Sequence, residues 1–148
     1  MIGDIWIESA DGDPHAYAIY RRHYSSNKNP RPKQRQFVGP GERIVLFGFF
    51  CVALFVWTKR IRDDGQDGVN CSVFRNESDH RSSDMILEAE QWAWLKWPGE
   101  RLFTMVNAEK TARRRGKRNP PGMCFIAAGW RECGRTKKGL VILEKLAG

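Results

Sequence analysis

This 148-residue sequence has no cysteine pair spaced for a metal, no apolar run long enough to cross a membrane, and few acids for its bases. Its four cysteines stand at 51, 71, 124 and 133 without a C-x-x-C pair, and Cys51, Cys71 and Cys124 sit in apolar runs. That spacing fits neither a zinc site nor a disulfide framework, so reduced, mostly buried thiols and a cytoplasmic setting are expected. The apolar stretch Ile44–Trp57 falls short of the roughly 20 residues a spanning helix needs. Its Val, Ile and Phe content suits two buried strands instead, and no membrane partner is expected. Met1–Ile7 carries Asp4 and lacks a basic start, so no cleavable signal is expected. The shortage of acids, 17 against 25 Lys and Arg, leaves a net charge of +8 and a pI near 9.6. Such a balance points to a polyanionic partner: nucleic acid first, an anionic cofactor second, a membrane surface third.

What is present argues for a packed globule. Hydrophobic residues make up 41% of the chain, six of them Trp, and the length suits one domain, 1–148. Asp4–Ser9 alternates Ile5 and Ile7 with Trp6 and Glu8, a short strand. Pro14 suits a helix first turn, and Ala16–Tyr24 continues that helix. Ser25–Gly41 is polar, interrupted by prolines and rich in Lys and Arg, which reads as a substrate loop. Arg43–Phe47 and Phe49–Lys59 form a buried hairpin turning tightly at Gly48. Asp63–Gly68 is a turn, and Val69–Arg75 the next strand. Ser82 or Ser83 caps a helix to about Lys96, with Met85, Ile86, Ala89, Trp92 and Ala93 inward and Pro98–Gly99 as its stop. Strand Arg101–Val106, a basic connection Lys110–Arg118, a helix near Pro121–Ala128 ended by Gly129, and two closing strands complete the chain. The order predicts an α+β fold with a mixed, mostly antiparallel sheet and flanking helices.

Four stretches carry a resemblance. RLFTMVN (Arg101–Asn107), NPPGMCFIAAGW (Asn119–Trp130) and GLVILEK (Gly139–Lys145) read as a strand ending in Asn, a helix holding Cys124–Phe125 before Ala-Gly-Trp, and a closing strand. This resembles the closing segment of GCN5-related N-acetyltransferase (GNAT) folds, where a strand-end Asn and a Tyr-x-x-x-Gly-aromatic helix flank the acyl-CoA thioester. With VNCSVFRNES (Val69–Ser78) and the Ser-Ser start of the next helix, the chain is most similar, within that superfamily, to the Mom-like DNA-modification proteins of phages and prophages. The resemblance covers His23 to Lys145. It implies a GNAT-like fold, acetyl-CoA or another acyl-CoA as cofactor, and modification of adenine in DNA at its exocyclic amine, protecting phage DNA from restriction. The setting would be the host cytoplasm, the partners DNA and acyl-CoA, with a homodimer an allowed assembly.

An acyl-CoA site needs exposed strand backbone, a nest of N–H groups for the pyrophosphate, and positive charge. Val69–Arg75, with Cys71 and Val73, would be the strand; Arg75 and Arg81 the charge; and Ser82 and Ser83 the helix start, though a plain N-cap explains the serines equally well. The usual family loop, R/Q-x-x-G-x-G/A, is here RNESDHRSS, without glycine and with Glu77 and Asp79. By resemblance Asn107 would hold the pantetheine or acyl carbonyl; an ordinary strand-end turn is its other reading. Phe125 and Met123 occupy the positions where a tyrosine acid would stand, and neither donates a proton. Cys124 could donate one, leaving the general acid open between chemistry and packing. His23 and Tyr24 form a pair that the family places in its active region, His23 suiting base duty near neutral pH. With no second ligand at metal spacing, a metal on His23 is the minor alternative. Two basic clusters flank the site, Arg21, Arg22, Lys28, Arg31, Lys33 and Arg35 in one, Arg113, Arg114, Arg115, Lys117 and Arg118 in the other. Interleaved with Tyr20, Tyr24 and Phe37, they suit phosphate-backbone contact and a base held out of the duplex.

Two other functions fit the same residues: a non-catalytic nucleic-acid-binding domain on a degenerate GNAT scaffold, and a GNAT acting on a protein or small amine. The net positive charge disfavours a cationic amine.

Overall fold

The computed structural model describes residues 3–10, 13–23, 38, 41–49, 52–115 and 121–148, with the side chains of 112–115 outside the description. In chain order the elements are β1 (Trp6–Ser9), α1 (Pro14–Tyr20), β2 (Glu42–Gly48), β3 (Ala53–Lys59), β4 (Val69–Asn76), α2 (Ser82–Lys96), β5 (Leu102–Val106), α3 (Ala108–Arg115), α4 (Met123–Ala127), β6 (Arg131–Arg135) and β7 (Val141–Lys145). The strands form one open sheet in the order β1-β2-β3-β4-β5-β7-β6. Every neighbouring pair is antiparallel except β4 and β5, which run parallel. A parallel pair needs a crossover, and α2 supplies it. The expected α+β class and mixed, mostly antiparallel sheet are what the chain adopts.

Strand β3 is buried through six successive residues because both sheet faces are covered. Its period-two side chains divide between two clusters. Ala53, Phe55 and Trp57 join the core under α2 and α4, while Leu54 and Val56 join Ala16 and Ile19 of α1. Strand β4 changes this allocation midway. Val69 and Cys71 face the α2 side, yet Val73 packs on the α1 side and Phe74 returns to the first core. The cause is a register shift, with Val56 opposite Val73 but Trp57 opposite Cys71, leaving Ser72 unpaired. One extra residue inverts every side chain after it.

Helix α2 is fixed by groups the hydrophobic pattern does not reveal. Trp6 Nε1 donates to the Met85 carbonyl and Trp57 Nε1 to that of Ala89, each at 2.9 Å. Buried Glu88 accepts the Ile5 and Trp6 amides at 3.2 and 2.8 Å, tying β1 to the helix. Buried Glu90 meets Lys145 Nζ at 2.7 Å and Trp130 Nε1 at 2.9 Å. Met85, Ile86, Ala89 and Ala93 are buried as expected, and Trp92 is half-buried.

Several boundaries differ from expectation for identifiable reasons. Helix α1 ends at Tyr20 rather than Tyr24, because the Arg22 and His23 amides bond to the Ile19 and Tyr20 carbonyls three residues back, tightening the last turn. In β1 the buried residue is Trp6, while Ile7 is 44% exposed. Gly48 does not form the hairpin turn; it is the last residue of β2, paired with Trp6. The expected basic connection is partly helix α3, started by Asn107, whose Oδ1 accepts the Lys110 amide at 3.0 Å. Neither Ser82 nor Ser83 caps α2. The cap position is Arg81, and among the described residues no side chain caps the first amides. Gly129, with φ 97°, closes α4 as expected.

Among the described residues no helix is long and apolar enough to cross a membrane, and Cys71, Cys124 and Cys133 are free thiols.

Candidate functional site

Strands β4 and β5 pair over three positions only, Val69 with Leu102, Asn70 with Phe103 and Cys71 with Thr104. At the last of these the Thr104 hydroxyl donates to the Cys71 carbonyl at 2.9 Å, taking an acceptor that a longer ladder would have used. Beyond it β4 continues to Asn76 and β5 to Val106 without pairing to each other. The gap opens as a cavity of about 650 Å³, walled by both strands, the turn after α1, the starts of α2 and α3, and α4. This is the divergence that a strand-splayed ligand site requires.

The wall is charged with one sign. Arg22, Arg75, Arg81 and Lys110 line it together with His23, and among the described residues no Asp or Glu does. Arg81 and Lys110 have no ion-pair partner among the described residues. At the start of α2 the Ser82 and Ser83 amides have no acceptor among the described residues, so an uncapped helix N-terminus faces the same space. Uncapped amides with neighbouring cations make an anion site.

Arg22 and Arg75 share one carboxylate. Arg22 grips Glu77 through Nε at 2.6 Å and Nη2 at 3.0 Å, and Arg75 Nε donates to the same group. Arg75 Nη1 also donates to the Arg22 carbonyl at 2.8 Å, fastening the end of β4 to the turn that carries His23. Arg22 foremost, with Arg75 beside it, holds the Glu77 carboxyl down at about 2. The bulge at Ser72 is what turns Arg75 to the α1 side and Asn76 to the α2 side. There Asn76 organises the glycine-free loop. Its Oδ1 accepts the Ser78 amide at 2.9 Å, and its Nδ2 donates to the His80 carbonyl at 2.8 Å and to Ser82 Oγ at 3.0 Å. An Asx turn thus does what glycines would do elsewhere.

Most of the residues singled out in the sequence meet at this cavity. His23 is only 8% exposed in the turn after α1, and Cys71, Val73, Arg75, Arg81, Ser82, Ser83 and Cys124 line the wall with it. Burial pushes both the Cys71 and Cys124 thiols up, so neither is a ready thiolate. Arg22, expected on a nucleic-acid track, is on the wall instead, whereas Arg21 is exposed beside the Tyr17 ring. Asn107 caps α3 with its side-chain amide oxygen and is not on the cavity wall. Phe125 is buried against Phe74 and Trp130, with no hydroxyl to offer. Tyr24, Lys28, Arg31, Lys33, Arg35, Lys117 and Arg118 lie outside the described residues, as do the side chains of Arg113, Arg114 and Arg115.

Sequence reasoning placed Asn76 at the start of the phosphate loop Asn76–Arg81 and Lys110 in the basic cluster Lys110–Arg118, and missed Thr104 and Gly122. Gly122 precedes α4 with φ 71°, and a Cβ there would stand 2.3 Å from Leu143 Cδ1, so both backbone and space demand glycine. The Asn-x-Ser spacing of Asn76 and Ser78 is a turn signal that could have been read; Thr104 gave none. Among the described residues no group of three His, Cys, Asp or Glu is placed to hold a metal ion. The chain matches no family model, no curated protein and no solved structure.

Proposed function

We propose that the cleft takes an acyl-CoA and that the chain is a GNAT-like transferase modifying adenine bases in DNA. One observation supports this most: parallel β4 and β5 part over a cavity whose wall, among the described residues, holds four cationic side chains and no carboxylate. Unpaired strand backbone suits the amides of a pantetheine arm, and the open α2 N-terminus with Arg81 suits a diphosphate. When bound, the thioester would supply the acyl group in activated form.

The chain's own residues divide the remaining work. The backbone of Val73–Arg75 orients the arm, and the Ser82 and Ser83 amides with Arg81 hold the phosphates. His23 takes a proton from the exocyclic amine as its nitrogen attacks. Cys124, kept as a thiol by burial, would protonate the departing thiolate, since Phe125 and Met123 beside it have no proton to give. The basic residues of 28–35 and 113–118 contact DNA phosphates. Asn107 positions the start of α3 through its Oδ1.

The test is paired. Acetyl-CoA should bind in calorimetry at micromolar to millimolar strength, roughly 4–8 kcal/mol. DNA from cells expressing the protein should yield a modified adenosine by mass spectrometry, and His23→Ala should abolish it while leaving DNA affinity nearly unchanged. DNA binding with neither CoA binding nor a modified nucleoside would support the second reading, a basic nucleic-acid-binding module. The absence of a hydroxyl at Phe125 and the capping duty of Asn107 favour that reading.

A further inference from the structure

Glu77 is the one carboxylate that engages the cavity's cations in the described structure, yet it is not part of the wall. We infer that it stands in for a ligand phosphate: Arg22 and Arg75 form an anion seat at the cavity edge, closed by Glu77 when empty and opened when a phosphate displaces it. This rests on the reading that the cavity takes an anionic ligand, and it adds where one phosphate sits and what must leave first.

Three features carry the inference. The Arg22 fork, Nε on one oxygen and Nη2 on the other, is the geometry with which a guanidinium grips two phosphate oxygens. Arg75 is held beside it by a bond that does not involve Glu77, the 2.8 Å donation to the Arg22 carbonyl. The two cations therefore stay together when the carboxylate leaves, and like charges held close require an anion. The seat is also wet enough to exchange. The Arg22 side chain is 46% exposed and that of Glu77 25%, whereas that of Arg75 is 12% exposed, so Glu77 can swing into water as another anion takes its place beside Arg75. Glu77 lies in the loop just after β4, where a side chain can rotate away without disturbing a ladder.

The occupant's chemistry is a phosphate, reached either as the diphosphate of a nucleotide cofactor or as the phosphodiester of a nucleic-acid strand. Calorimetry with inorganic pyrophosphate, CoA and a short deoxyoligonucleotide, on wild type and Glu77→Gln, separates these. Removing the internal competitor should tighten pyrophosphate binding on the order of tenfold, the scale of one charge-assisted hydrogen bond. An equal gain for CoA alone assigns the cofactor; a gain for the oligonucleotide alone assigns the strand. Glu144→Gln, the control, should change none of the three.

Folded Glu77→Gln that binds all three as wild type does, or more weakly, overturns the proposal and makes Glu77 a strut for the arginines. If that variant does not fold, titration of wild type decides instead. The Arg22 and Arg75 Nε–H resonances should move together with pyrophosphate, and unmoved resonances reject the seat. Wild-type CoA binding with no gain in the variant removes the seat and leaves the acyl-CoA reading. A pyrophosphate gain with no CoA binding by either protein does the reverse.

Discussion

Among the described residues stand two Arg–Glu–Arg clusters, and they differ in what surrounds them. In the closed half of the sheet, Glu144 of β7 accepts from Arg101 and Arg131, each at 2.7 Å, with its side chain 10% exposed. Strand β7 is paired along both edges, and nearby Arg101 also donates to the Asp67 carbonyl and stacks 4.9 Å from the Phe103 ring centroid. In the open half, Glu77 sits between Arg22 and Arg75 just past the point where β4 has lost β5. The residue types are the same and the hydrogen bonds similar. What differs is whether neighbouring backbone is satisfied without the cluster: around Glu144 it is, and the cluster seals a finished sheet; around Glu77 the strand ends at a cavity. An ion cluster therefore declares a role only together with the state of the ladder beneath it.

That comparison can be broken or sharpened by substitution. The largest effect belongs to the closed half, where Lys145→Met leaves Glu90 buried with Trp130 as its remaining partner. Loss of about 3 kcal/mol or more is expected in urea denaturation. Burial, opposed by Lys145 and Trp130, already holds the Glu90 carboxyl above its ordinary value. A raised carboxyl contributes fully below its unfolded value and less as pH rises through the folded one. The Lys145→Met deficit should therefore be larger at neutral pH than near pH 4.

Glu144→Gln should cost about 2 kcal/mol, since Arg101 is partly covered whereas Arg131, at 70% exposure, can turn to water. Arg101, with Arg131 adding to it, holds the Glu144 carboxyl low, so the wild-type contribution is present above the unfolded value and fades as pH falls. The urea midpoints of variant and wild type should converge in acid. Thr104→Val deletes the donor to the buried Cys71 carbonyl and should cost about 1–2 kcal/mol by thermal unfolding. The smallest change is Glu77→Gln, about 1 kcal/mol, since Glu77 and Arg22 both reach water and Arg75 keeps its bond to the Arg22 carbonyl. Its carboxyl is held at about 2 against an ordinary 4.5, so only an acid limb between those values should flatten. A loss at Glu77 as large as that at Glu144 would erase the distinction between the two clusters.

The order of elements was readable because period and punctuation agree. The crossover of strand Val69–Arg75, a helix capped at Ser82 or Ser83 and running to about Lys96, and strand Arg101–Val106 is recovered within two residues at each end. The site was readable in part for the same reason, since strand-end and helix-start residues converge wherever parallel strands part. The rest depended on events without a local signature. Nothing in CSVF announces that Ser72 bulges, yet that single residue decides on which side Arg75 lies. The run EKTARRR looks like a solvated linker until Asn107 starts a helix there. Glu77 looked like a charge in the wrong place for a phosphate loop, and only the fold shows two arginines neutralising it.

The three-rung ladder between β4 and β5 has a consequence for amide hydrogen exchange. Successive amides of a strand point to opposite edges, and from Val73 to Asn76 one edge faces a paired β3 while the other faces the cavity. In deuterium oxide the protons of this segment should leave with a period of two, slow toward β3 and fast toward the gap. The alternation should stop at Cys71, where both edges are occupied, and a ligand seated against β4 should slow the fast set alone.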